Sequence, residues 1–169
     1  MANYSTSFTP QAARDFVRST IWGSRMSQNN LGDDVHNAIL ALCKKGDELA
    51  EDGRLNDAVE TYEEAYALLP EPKTDWEAST WILGAIGDML YQVEQFEDAR
   101  SALLIAMHCP NAIGNPFLHL RLGQVQYELG DQERAGDELA RAYMAEGIEI
   151  FSDEDPKYLE FLRTVIDLA

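Results

Sequence analysis

The sequence predicts an all-α chain assembled from stacked pairs of helices. Three observations carry that prediction. Apolar residues recur at helical spacing along nearly the whole length, strand-like alternation is absent, and small residues recur in register at distant places. The stretch "GDELAEDGRLNDA" (46 to 58) runs Gly, seven residues to a second Gly, then five to an Ala; "GQVQYELGDQERA" (123 to 135) repeats that outline.

The elements follow in order. Thr9-Pro10 reads as an N-cap with Pro at the first helical position, opening a helix over 10–22 with Ala13, Phe16, Val17 and Ile21 on one stripe. "GSRMSQNNLGDD" is a polar loop, after which Asp33 or Asp34 caps a helix to about Asp52. "EDGRLN" makes a turn, Asn56 caps the next helix, and Pro70 and Pro72 stop it. "TDWE" has capping-box spacing, Thr74 then Glu77, and starts a helix through Gln92. Another runs from about Glu97 to His108 and halts at Pro110. Asn115-Pro116 opens a helix to Leu129, and one after Gly130 continues to about Gly147. "SDEDP" caps a last helix over 156–168, with Leu159, Leu162 and Ile166 on one face; Asp153, Glu154 and Asp155 supply negative charge at its N-terminus.

Three repeated units emerge. The first holds Gly46, Gly53, Ala58, Tyr62, Ala65 and Pro70; the second Gly87, Ala99, Leu103 and Ala106; the third Leu122, Gly123, Gly130, Ala135, Leu139 and Ala142. In each, first Gly to first Ala is twelve residues, and that Ala to the next Ala is seven. A Gly in the first helix and an Ala in the second let two antiparallel helices approach closely, because the residues at the contact set the interaxial distance. Tyr62, Leu103 and Leu139 are expected to fill the space beside the closest approach. Gly53 and Gly130 end their helices where positive φ is needed. The second unit has Glu94 there, so its turn is expected to be built differently.

This pattern resembles the tetratricopeptide repeat (TPR), whose period is 34 residues. The resemblance covers about residues 36–147, with seven residues inserted around "KTDWEAS" and two near "NAIGNP", and with Leu42, Leu83 and His119 in place of an early large aromatic. It implies an arm over 1–30, three repeats within 31–152 (about 34–72, 74–111 and 115–150), and a capping helix over 153–169. The fold class expected is a TPR-type α-solenoid of three helix-turn-helix repeats, with an N-terminal helix and the C-terminal cap. It also implies a concave groove lined by the first helices. Mapped here, the partner-binding residues are Asp47, Trp81, Asp88, Tyr91, Gln92, Phe117, Arg121, Gln124, Tyr127 and Glu128, with Gly84 leaving room between the aromatics; Tyr91 and Tyr127 are expected to be exposed, whereas Trp81 and Phe117 either line the groove or pack between repeats. Aromatics flanked by acids suit a basic peptide or helix with apolar anchors. The carboxylate clamp of some TPR proteins does not fit. Its cation and amide positions fall on Cys43, Asp47, Ala85, Phe117 and Arg121, of which only Arg121 has the needed type.

Charge and composition narrow the function. The 169 residues carry a formal charge of −17, which disfavours nucleic acid and anionic membranes. Residues 1–30 run the other way, with Arg14, Arg18 and Arg25 against Asp15. Cys43 and Cys109 have no metal-ligand spacing and read as reduced thiols, and no signal peptide or membrane span is visible, so a cytoplasmic location is expected. His36, His108 and His119 do not pair on one helix face for metal, "HCP" at 108–110 points His and Cys apart, and no phosphate loop or nucleophile elbow occurs. The expectation is no cofactor, no metal and no catalysis, but a module that grips a protein partner. "EPKTDWEASTWI" and "GNPFLHLRLGQ" resemble small free-standing bacterial TPR proteins, which implies an immunity protein for a toxin or a secretion chaperone. A self-associating scaffold held through residues 1–30 is the structural alternative.

Overall fold

The structure, a computed structural model, describes residues 31–168; the helix expected over 10–22 lies outside the described residues. Within them are seven α-helices: α1 (Asp33–Glu51), α2 (Leu55–Ala67), α3 (Glu77–Gln92), α4 (Phe96–Ala106), α5 (Pro116–Glu128), α6 (Gln132–Glu146) and α7 (Pro156–Val165). Short 3-10 turns occur at Lys73–Asp75 and Gly147–Phe151, and no strand occurs among the described residues. The helices pair as α1/α2, α3/α4 and α5/α6, and each second helix packs on the first helix of the next pair.

The glycines sit at the crossings. A Cβ on Gly46 would lie 2.9 Å from the Tyr62 ring, one on Gly87 2.5 Å from Leu103 Cγ, and one on Gly123 2.8 Å from Leu139 Cγ. The expected Gly-to-Ala contact is therefore sharper than anticipated. Each glycine is a notch that receives the large residue of the partner helix itself. The alanines one turn before and after that residue (Ala58 and Ala65, Ala99 and Ala106, Ala135 and Ala142) are all fully buried and let the backbones close around it. Gly84 serves a related purpose between pairs, with Leu118 against it rather than open groove.

The three inter-helix turns are one motif. Gly53, Glu94 and Gly130 all have positive φ (75°, 61° and 80°). The paired bonds Gly53 N→Ala50 O and Arg54 N→Leu49 O recur as Glu94 N→Tyr91 O and Gln95 N→Leu90 O, and again as Gly130 N→Tyr127 O and Asp131 N→Gln126 O. The different turn expected at Glu94 is not found. A glutamate adopts the left-handed conformation because the packing of α3 on α4 requires the same reversal.

Local capping departs from expectation in three places. Asp33 and Asp34 lie inside the first turn of α1 and complement its dipole, with Gly32 at the cap. Arg54, not Asn56, precedes α2. Thr74 lies in a 3-10 turn ahead of α3, whose cap is Trp76, so the Thr74–Glu77 box does not form. The inserted residues there are occupied otherwise. Lys73 Nζ donates to the carbonyls of Tyr66 (2.9 Å) and Ala67 (3.1 Å) at the C-terminus of α2, and Trp76 Nε1 donates to Pro70 O at 2.8 Å. Asn115 and Asp155 cap α5 and α7 as expected, each with proline behind it.

The core is continuous through the first two pairs and into α5. A second cluster joins Leu120, Leu139 and Ala142 to Ile150, Phe151, Tyr158 and Leu162, so the C-terminal segment buries apolar surface that the third pair would otherwise expose.

Candidate partner-binding face

The residues expected to contact a partner lie on α1, α3 and α5. On α1, the Asp47 carboxylate accepts from the Tyr62 hydroxyl at 2.6 Å. Burial, and then the Asp47 charge, push the Tyr62 hydroxyl well above the usual tyrosine range, so it stays a donor. The same two causes push the buried Cys43 thiol up to about 12, which keeps it protonated and unreactive.

On α3 and α5 the face is built around Arg121, which is only 3% exposed. Its guanidinium meets Asp88 at 2.7 Å and Glu154 at 3.4 Å. It donates to Gln124 Oε1 at 2.6 Å, while Gln124 Nε2 donates to Glu154 at 2.8 Å. The Tyr91 ring lies 4.3 Å from the Arg121 guanidinium carbon and the Phe117 ring 5.5 Å. Burial alone would lower the arginine's pKa; Asp88 and Glu154 outweigh it and hold the group above its ordinary value. Asp88 also accepts from Gln92 Nε2 at 2.8 Å.

The C-terminal segment lies across the third unit's part of this face. Tyr158, fully buried, donates to Glu128 at 2.6 Å and shares a 2.7 Å hydroxyl contact with Tyr91. Lys157 meets Glu128 at 2.7 Å. Tyr127 packs edge-on against Tyr158 and Phe161, with ring centroids 5.5 and 5.1 Å away.

Asp88, Arg121 and Gln124 are therefore turned inward, engaged with each other and with Glu154, instead of lining open surface as the sequence suggested. Tyr91, Tyr127 and Glu128 are half-buried beneath the cap, where the sequence led us to expect exposed tyrosines. Asp47, Trp81 and Phe117 are half-buried, Phe117 packing against the core, and Gln92 is exposed. Two structural residues were missed. Glu154 was assigned to the α7 dipole together with Asp153 and Asp155, but it reaches back to Arg121 and only Asp155 caps the helix. His119, which the sequence left unpaired, is buried between Glu138 (2.5 Å from Nδ1) and the Ile113 carbonyl (2.7 Å from Nε2).

That arrangement also decides the fold. Three antiparallel pairs, joined by the same turn and notched by glycine at each crossing, stack in chain order, each second helix against the next first helix. The chain is a TPR-type solenoid.

Solved structures agree with it. The TPR stack resembles the first TPR domain of Spaghetti (RPAP3) bound to the HSP90 peptide SRMEEVD. The TM-score is 0.59 at 15% identity, covering 76% of this chain and 90% of that one. It resembles the TPR-containing domain of a Plasmodium falciparum FK506-binding protein (TM-score 0.63, 12% identity, 80% and 91% covered). The Yersinia enterocolitica type III secretion chaperone SycD, in complex with a peptide of the translocator YopD, is similar too (TM-score 0.61, 14% identity, 81% and 96% covered). No protein-family model and no curated protein sequence matches the chain. In a TPR stack the shared first-helix face is the concave side. Among the described residues, no group of three or more His, Cys, Asp or Glu is placed to hold a metal ion, and no helix is long and apolar enough to cross a membrane.

Proposed function

We propose that the chain is a non-catalytic binding module that seats a basic polypeptide with apolar anchors on the concave face of its first two repeats. The observation that carries this reading is the division of that face. The C-terminal segment covers the third unit through Glu154 and Tyr158, while over the first two Asp47 and Trp81 are half-buried and Gln92 is exposed. Peptides bind on two of the similar structures, and here the clamp chemistry differs. Arg121 already holds Asp88 and Glu154, so a peptide carboxylate would meet an arginine whose charge is matched, beside the acid Asp47.

Acidic charge accelerates the encounter with a basic partner and the half-buried Trp81 supplies an anchor surface. Such a module acts in the cytoplasm by occupying or shielding its partner. Neutralising a toxin, as an immunity protein, is the role we favour, with secretion chaperone as the second, since SycD has the same fold. A toxin gene adjacent to this one favours the first; a secretion apparatus favours the second.

The test is affinity capture with the intact chain beside a Trp81→Ala/Asp47→Asn variant and an outer-side control, Leu104→Ser, whose residue is exposed on α4. Asp47→Asn keeps an oxygen for Tyr62 and removes the charge. We expect the same basic protein to be retained by the wild type and the control, and lost by the groove variant. Equal retention by all three would overturn the assignment of this face.

A further inference from the structure

We infer that the loop leading from the second pair into the third is fastened by a proton on His119 and let go when that proton leaves. The third pair breaks the repeat at this one contact. Four residues before the notch glycines stand Leu42, Leu83 and His119, and three after the first alanines stand Thr61, Ala102 and Glu138. In the second pair both positions are buried and apolar, Leu83 and Ala102. The fold therefore needs no ionisable group at either place, yet the third pair has exchanged both together. His119 is 5% exposed, with Glu138 Oε2 2.5 Å from Nδ1 and the Ile113 carbonyl 2.7 Å from Nε2. A carboxylate and a carbonyl only accept, so the ring satisfies both when each nitrogen carries a proton.

Losing one proton forces a choice. A ring lone pair facing the charged Glu138 carboxylate is repelled more than one facing a neutral carbonyl. The remaining proton therefore stays on Nδ1, and the Nε2 proton passes to water. Nε2 and the Ile113 oxygen are then two acceptors at hydrogen-bond distance, and they part. The loop is the side that yields: Ile113 is 76% exposed and Gly114 is exposed, whereas His119 and Glu138 are fixed in α5 and α6. The start of the loop has ties of its own, Thr80 Oγ1 donating to Pro110 O at 2.7 Å and Asn111 Nδ2 to Glu77 at 2.9 Å, which confines the release to 112–115. Those residues include the buried Ala112 and Asn115, whose side chain caps α5. The proton thus sets how firmly the third pair is joined to the second.

Of the other groups near the ring, Arg141 on α6 opposes its charge and is itself engaged with Asp137 at 3.0 Å. The residues that α4 buries are Ala99, Ala102, Leu103 and Ala106, none of them titratable, and burial keeps the Cys109 thiol protonated. Arg121, two residues further along α5, is engaged with Asp88 of α3 and with Glu154. The Glu138 hydrogen bond outweighs burial and Arg141, so the ring releases its proton above the ordinary 6.5.

The test is hydrogen exchange of the intact chain from pH 6 to pH 9, read by mass spectrometry with labelling times scaled to the intrinsic rate, beside an NMR titration of the His119 ring. We expect peptides covering Ala112 to Leu118 to lose protection several-fold as pH climbs through the ring's own midpoint, while peptides of α6 keep theirs. His119→Leu/Glu138→Ala, which restores the pair found in the second unit, should abolish the pH dependence. Protection unchanged through the midpoint, a ring midpoint at or below 6.5, or the same loss in the double variant would overturn the inference. If that variant does not fold, Glu138→Gln decides: it removes the charge that holds the proton, so ring midpoint and loss of protection should move to lower pH together. A loss that stays in place while the midpoint moves would overturn the inference too.

Discussion

Glu94 holds a backbone conformation that Gly53 and Gly130 adopt at no steric cost. A left-handed residue with a Cβ costs about 1–2 kcal/mol, and glycine returns about 0.5–1 of that to the unfolded chain as entropy. Glu94→Gly is therefore expected to raise stability by about 0.5–1 kcal/mol, seen as a higher urea midpoint at unchanged slope. The notches behave oppositely. A methyl on Gly87 would press on Leu103 Cγ, and on Gly123 it would meet both the Leu139 side chain and its backbone nitrogen. Gly87→Ala and Gly123→Ala should each cost about 1–3 kcal/mol in the same assay, whereas an alanine at an exposed helical glycine would stabilise. Arg121 is the third residue on which the fold leans. Arg121→Ala leaves Asp88 and Glu154 facing each other without their shared cation, a change expected to cost about 3–5 kcal/mol.

Between elements, the joint of α5 to α6 carries a titratable pin. Both neighbours of the His119 ring, the Glu138 carboxylate and the Ile113 carbonyl, are acceptors, so the doubly protonated ring satisfies both. The Glu138 hydrogen bond raises its pKa above the ordinary 6.5 against the opposing effects of burial and Arg141. A raised folded-state value stabilises fully below about pH 6.5 and loses that contribution as pH climbs through the folded-state value. Thermal unfolding from pH 6 to pH 9 should show a decline that His119→Gln flattens; an identical decline in the variant would remove His119 as its cause. The helix pairs were legible in the sequence because their signals are local: periodicity, Asn115-Pro116, and Gly and Ala twelve residues apart. The caps at Arg54 and Trp76 were not, since chain entry there is set by packing while Asn56 and Thr74 offered better local chemistry. Glu154 was the instructive miss. An acid one residue before an N-cap has a sufficient local explanation, and its partner Arg121 is 33 residues away, brought near only by the fold.

At the scale of the molecule, the C-terminal segment caps the apolar end of the stack and, on the proposed reading, shortens the face left to a partner. Half of that face was foreseeable. The first-helix positions followed from the repeat, whereas the burial of Arg121, Gln124 and Asp88 followed from a crossing of 154–158 that no spacing announces. Association with a basic partner is expected to weaken steeply between low salt and about 0.5 M, mainly through a slower on-rate, because exposed charges are screened beyond the Debye length. Affinity unchanged across that range would remove electrostatics from the account and leave the aromatic anchor alone.

Amide hydrogen exchange of the intact chain, free and saturated with its captured partner, reads the remaining question most directly. The solvent-facing amides of α1 and α3 should gain protection, while α2, α4 and α6 stay as they were. Protection gathered on α4 and α6, with α1 and α3 unaltered, would put the partner on the outer side and contradict the claim that the hollow over the first two repeats is where this protein binds.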